Sequence, residues 1–129
     1  MIKMPQIALI LALILGVLSG CSTTYAASGS WSGFEEKGKA SFYADKHQNK
    51  KTASGARYRH ELKTAAHKKL PFGTVVKVTN LSNNKSVIVT INDRGPFVKG
   101  RIIDLSKSAF RSIGPLSAGL LNVKIEVVE

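Results

Sequence analysis

Cysteine occurs once in this chain of 129 residues, at Cys21, and acidic side chains number only 8 against 19 lysines and arginines. A single thiol excludes an intrachain disulfide, so any fold must rest on its apolar core alone. The shortage of acid leaves a formal charge of +11, which favours anionic surroundings. Aromatics are sparse, with one tryptophan, three tyrosines and five phenylalanines, and no basic run is interleaved with them as a nucleic-acid groove requires. Nucleic acid is therefore not the expected partner. His47, His60, His67 and the acids show no recognisable ligand spacing, so neither a metal nor another cofactor is expected. The chain also lacks an internal repeat, a long amphipathic helix and an apolar run long enough for a comfortable membrane span.

What is present begins with an export pattern. Lys3 is a positive n-region and Ile7 to Val17 an apolar h-region, followed at once by Leu18-Ser19-Gly20-Cys21, which makes residues 1–20 a signal peptide. That tetrapeptide resembles a bacterial lipobox, the site at which a cysteine receives diacylglycerol; the other reading is an uncleaved signal anchor. Lipidation of Cys21 accounts for a lone thiol in an exported chain. Ser22 stands where an aspartate would imply retention at the inner membrane, so the resemblance implies a lipid-anchored protein of the outer membrane facing the periplasm. Beyond residue 20 there are 18 basic and 8 acidic residues, and an exported domain of that charge meets peptidoglycan and lipid phosphates. Residues 21–37 are rich in Ser, Thr, Gly and Ala and read as a flexible tether. Trp31 and Phe34 interrupt it, to dock on the domain or on the bilayer.

The globular part is expected over 38–129, enough for one modest core. Lys39 to Tyr43 reads as a strand, Ala44 to Gly55 as a polar loop, and Leu62 to His67 as a short apolar helical turn. Thr74 to Leu81 alternates, with Val76 and Val78 on one face. Ser82 to Lys85 is a hairpin turn. After a further strand from Val87 and another over Arg101 to Leu105, Ser106 is a helix N-cap, with Leu105 and Phe110 spaced as a hydrophobic staple and Gly114-Pro115 as the stop. Leu120 to Val128 alternates again. Short strands with one or two short helices predict a mainly β protein, a small closed barrel.

The stretch Val87 to Leu105 carries two carboxylates on apolar strands. Val87 to Ile91 is β-branched throughout and ends at Asn92-Asp93-Arg94-Gly95-Pro96, so a buried strand stops at a polar turn. Alternation puts Asp93 in line with Val87, Val89 and Ile91, and Arg94 in line with Ile88 and Asn92. Those two neighbours need not pair. A carboxyl at the rim of an apolar face holds its proton more tightly and can act as an acid; the other reading of Asp93 is a turn residue that binds backbone amides. Thr52-Ala53-Ser54-Gly55 is a run of small residues that lets backbone approach a ligand closely.

Taken together, Gly38-Lys39-Ala40-Ser41-Phe42-Tyr43, Thr52-Ala53-Ser54-Gly55, Thr64-Ala65-Ala66-His67, Leu70-Pro71-Phe72-Gly73-Thr74, Val78-Thr79-Asn80-Leu81, Asn92-Asp93-Arg94-Gly95-Pro96-Phe97 and Arg101-Ile102-Ile103-Asp104-Leu105-Ser106 resemble the rare lipoprotein A family, in order and spacing. The resemblance implies a six-stranded double-psi β-barrel, shared with expansins. It also implies a peptidoglycan lytic transglycosylase that cleaves naked glycan strands between N-acetylmuramic acid and N-acetylglucosamine, leaving 1,6-anhydro ends. The family's catalytic positions fall on His67 and Asp93, and Tyr43, Thr52, Ser54 and Arg94 stand in the matched motifs as substrate-binding candidates. Where the family has a glutamate after Thr-Ala-Ser-Gly, this chain has Ala56. Asp104, in a setting similar to a catalytic Asp of related barrels, is a third candidate, its other reading being a turn or helix-start acceptor. For His67 the other reading is a satisfied barrel histidine. The missing glutamate keeps open a non-catalytic, expansin-like wall-binding protein. Many members carry a C-terminal peptidoglycan-binding repeat domain; the sequence to Glu129 holds none, so septal placement is not assumed.

Overall fold

The fold was analysed in a computed structural model, which describes residues 31–129. The signal peptide, Cys21 and the tether up to residue 30 lie outside the described residues. Six strands, β1 (Glu35–Phe42), β2 (Thr64–Ala66), β3 (Val75–Asn80), β4 (Ser86–Asp93), β5 (Arg101–Leu105) and β6 (Leu121–Val127), are joined by one α-helix, α1 (Lys107–Ile113). They close into a barrel in the order β1-β5-β2-β4-β3-β6. Parallel ladders β1–β5 and β2–β4 sit among antiparallel ones, so the expected closed barrel is found, with mixed pairing. Closure leaves no edge strand to protect.

Alternation does most of the work. Val76 and Val78 of β3, Val89 and Ile91 of β4, Ile103 and Leu105 of β5 and Val123 and Ile125 of β6 are buried in one cluster, as the period-2 pattern requires. Helix α1 closes one side with Ala109, Phe110 and Ile113. Its N-cap is Ser106, whose hydroxyl accepts the Ala109 amide at 3.3 Å, and Gly114 follows its last turn.

Two expectations are corrected. Leu62 to His67 forms no helical turn: Thr64 to Ala66 is a strand wedged between β4 and β5. The helix propensity of two alanines is weaker than the backbone bonding that two flanking strands offer. β1 starts at Glu35 rather than Lys39, because Glu35 to Ala40 pair in register with Glu126 to Leu121 of β6. The barrel thus absorbs residues 35–37 of the expected tether. Trp31 and Phe34 pack against the core cluster, with ring centroids 5.3 Å apart, so they dock on the domain.

Candidate functional site

Ala66 of β2 is in register with Asp93 of β4 on one side and with Asp104 of β5 on the other. Residues paired across a sheet project to the same face, so both acids flank one small side chain, with Cα atoms about 10 Å apart across two strand spacings. On the β2–β4 ladder the register slips, Ala65 facing Ile91 and Ala66 facing Asp93. This bulge leaves Asn92 as the extra residue and turns Asp93 from the core line into a cleft.

The cleft, of about 400 Å³, runs over the outside of the barrel between Ser41, Tyr43 and His47 on one side and the loop Asp93 to Val98 on the other, with Arg101 and Asp104 along it. Beneath lies a second apolar cluster of Tyr43, Tyr58 and Ala66. The two tyrosine rings are stacked at 4.1 Å. Phe97 stands on the rim, 79% exposed.

The two carboxylates differ in their surroundings. Asp93 is held at both oxygens: the Tyr43 hydroxyl donates to Oδ2 at 2.6 Å and the Ala53 amide to Oδ1 at 2.8 Å. Burial, and then the bond to Asp93, push the Tyr43 hydroxyl far above the usual phenol range. Asp104 accepts one bond, from the Ser41 hydroxyl at 2.9 Å to Oδ1. Burial raises its proton affinity above the ordinary carboxylate value, a rise that the Ser41 bond and the nearby His47 and Arg101 oppose. Asp104 is therefore the carboxyl that desolvation prepares to carry a proton. It is not a turn or helix-start acceptor; Ser106 caps the helix.

His67, placed with Asp93 in the sequence, does not line this cleft. Its ring is buried and lines a separate pocket of about 250 Å³ with Phe34, Glu36, Lys68 and Lys69. Nδ1 accepts the amides of Lys69 and Leu70 at 3.0 and 3.1 Å. The proton is then on Nε2, which donates to Glu36 Oε1 at 2.9 Å. With both nitrogens occupied, this is a satisfied barrel histidine. What the sequence did not show was that the amides two and three residues after it turn back onto its ring.

The substrate-binding candidates divide as well. Tyr43 and Arg94 line the cleft. Arg94 does not pair with the Asp93 carboxylate; its Nη1 donates to the carbonyls of Leu70 and His67 at 2.9 and 3.2 Å, and its guanidinium lies 4.1 Å from the Phe72 ring centre. Thr52 and Ser54 do not line the cleft. The Thr52 hydroxyl donates to the Ala56 carbonyl at 2.7 Å, and the Ser54 oxygen lies 3.0 Å from Thr52 Oγ1 and accepts the Ala56 amide at 3.3 Å. Both hydroxyls shape the turn that points the Ala53 amide at Asp93. Ala56 is exposed in that turn.

The residue overlooked in the sequence is His47, which lines the cleft with its ring edge-on to Tyr43 at 5.6 Å. Its short 3-10 turn, Asp45–His47, is tied down on both flanks. Asp45 accepts from Lys107 Nζ at 3.0 Å and lies 2.9 Å from His60 Nε2, and Gln48 Oε1 accepts the His60 amide at 2.8 Å. The Lys107 bond holds the Asp45 carboxyl below its usual range.

A family profile described as lytic transglycolase matches residues 35–125, the whole barrel down to the middle of β6. The chain belongs to the lytic transglycolase family. Within it, this chain is 51% identical over 113 residues to the endolytic peptidoglycan transglycosylase RlpA of Pasteurella multocida (strain Pm70), covering 88% of this chain and 38% of that protein. It is 53% identical over 96 residues to the protein of the same name from Vibrio cholerae, covering 74% of this chain and 36% of that one. The chain thus spans little more than a third of the length of these relatives. Among solved structures, the Streptomyces papain inhibitor superposes with a TM-score of 0.62 at 23% identity, over 75% of this chain and 96% of the inhibitor. The Clavibacter michiganensis expansin superposes with a TM-score of 0.59 at 21% identity, over 74% of this chain and 51% of the expansin. The fold of this lytic transglycolase-family member is the expected double-psi β-barrel.

Proposed function

We propose that this barrel is a peptidoglycan lytic transglycosylase that cleaves naked glycan strands at the N-acetylmuramic acid to N-acetylglucosamine bond. The observation that carries the reading is Asp104, a desolvated carboxyl on the floor of an open cleft, with Asp93 fixed across Ala66 from it. Such chemistry needs a proton for the departing glycosidic oxygen and a base for the C6 hydroxyl that closes the anhydro ring. Asp104 supplies the proton. Asp93, locked by Tyr43 and Ala53, faces the positive charge that develops at the anomeric carbon and stabilises it. Family membership and the names of the relatives support the same substrate. In the loop between β1 and β2, which also carries His47, Lys46, Lys50, Lys51, Arg57 and Arg59 are all exposed, a cationic surface suited to an anionic polymer.

In this reading the chain is exported and held by lipid on Cys21 at the outer membrane, facing the periplasm. Labelling with a clickable fatty acid tests the anchor: the wild type takes the tag and Cys21→Ala does not. The catalytic reading is tested by mass spectrometry of glycan strands freed of stem peptides and incubated with the protein. Products with 1,6-anhydro ends are expected. Ala56 in place of the family's glutamate favours a second reading, a wall-binding protein without turnover; retention on sacculi with no anhydro product would establish it.

A further inference from the structure

His60 and His67 have their ring nitrogens engaged by Tyr58, Asp45, Glu36 and backbone amides. His47 differs. Among the described residues its ring makes no hydrogen bond, although it lines the cleft that holds Asp93 and Asp104. Asp93 has both oxygens bonded, and Asp104, which accepts from Ser41, is the acid of the reading above, so neither is placed to receive a proton at the start of the reaction. His47 is the remaining group in the cleft able to take a proton, since Arg94 and Arg101 stay charged and Tyr43 donates to Asp93. The turn that carries it is fixed through Asp45 and Gln48 to α1 and His60, which holds the imidazole over the cleft.

We propose that His47 is a catalytic residue of this cleft, the base that takes the proton of the C6 hydroxyl of the muramyl unit. The proposal rests on the transglycosylase reading above. In the step, the bond from the anomeric carbon to the glycosidic oxygen breaks and that oxygen takes the Asp104 proton. The C6 oxygen bonds to the anomeric carbon, and its own proton passes to neutral His47. Transfer of that proton back to Asp104 through water restores the starting state, with no water consumed. The titratable and charged groups that line the cleft with the imidazole are Tyr43 at the end of β1, whose ring meets it edge-on, Asp93 and Arg94 at the end of β4, and Arg101 and Asp104 on β5.

The test uses the full chain and glycan strands freed of stem peptides. Wild-type turnover should follow a bell in pH, since it needs neutral His47 and protonated Asp104 together. His47→Gln should lower kcat about 100-fold with little change in KM, and its profile should lose the acid-side limb and only fall as pH rises. In the Asp104→Asn protein, a stem-free tetrasaccharide should shift the His47 ring proton resonances and leave those of His60 and His67 in place; this holds even if His47→Gln fails to fold. An active wild type whose rate and bell persist in His47→Gln, or whose rate drops evenly at every pH, removes His47 and leaves the transglycosylase reading standing. Wild type without anhydro product overturns that reading and the role of His47 with it. An unmoved His47 resonance in the presence of saturating tetrasaccharide also overturns the proposal.

Discussion

The Tyr43 hydroxyl donates to Asp93 at 2.6 Å while the Tyr43 ring stacks on Tyr58 at 4.1 Å. One side chain thereby fixes a carboxylate and floors the cleft. Ala53 holds the other oxygen, so Asp93 has no rotational freedom left to follow a substrate. Tyr43→Phe keeps the stack and removes one donor from a partly buried carboxylate. It should cost about 1–3 kcal/mol of stability and lower turnover roughly tenfold, both read from denaturant unfolding and from the anhydro-product rate. An unchanged rate would show that the orientation of Asp93 does not matter to turnover.

Gly38 of β1 has no room for a side chain. A Cβ there would lie 2.5 Å from Ile102 Cγ2 and 3.1 Å from Cγ1, and Ile102 sits where the β1–β5 register slips between Lys39 and Ala40. Its β-branched side chain has little rotamer freedom with which to give way. Gly38→Ala should therefore destabilise the barrel by about 1–3 kcal/mol, as overpacking does, measured as a lower denaturant midpoint at unchanged slope.

The barrel itself was legible because its strands obey period 2: Val76 and Val78, Val123 and Ile125 are buried as the alternation dictates. So was the helix, since Ser106 and Gly114 bracket it locally. β2 was not, because three residues carry no period and their strand state comes from neighbours distant in sequence. In the site, Asp93 and Asp104 could be read from their strand positions. That His67 lines a separate pocket was not legible, since its motif names a residue but not the side of the wall to which it points. His47, in a polar loop without pattern, enters the cleft only through contacts of Asp45 and Gln48 with α1 and His60.

Asp104 links activity to stability with opposite signs. Burial raises its proton affinity above the ordinary value of 3.8, so the folded state binds a proton that the unfolded chain has released. Its stabilising effect is complete below 3.8 and is lost as pH rises through the folded value, since burial works against the ionised form. Asp104→Asn removes the ionised form and can still accept the Ser41 bond. It should melt higher than wild type at pH 7, and the gap should close toward pH 3.5. Over the same preparation, anhydro product should fall at least about 100-fold. Asp93→Asn should also lose product, with sacculus binding intact. If Asp104→Asn keeps turnover while Asp93→Asn abolishes it, the acid is Asp93.

Ala56 is the departure from the family that the structure makes easiest to reverse. The position is exposed, its backbone already serves Thr52 and Ser54, and it belongs to the turn whose Ala53 amide binds Asp93. A longer side chain there meets solvent, so Ala56→Glu should fold with stability within about 0.5 kcal/mol of wild type. A carboxylate added in the turn that binds Asp93 adds negative charge on the Asp93 side of the cleft, the side proposed to face the positive charge that develops in the sugar. Removal of one such electrostatic group commonly costs an enzyme about 2.7–4 kcal/mol, and a solvent-exposed one is screened, so a rise of about tenfold in turnover is expected. Product formation by wild type and Ala56→Glu side by side is the measurement. A rise identifies a transglycosylase slowed by the loss of its glutamate. With no anhydro product from either protein and sacculus binding retained by both, the cleft is a glycan-binding surface.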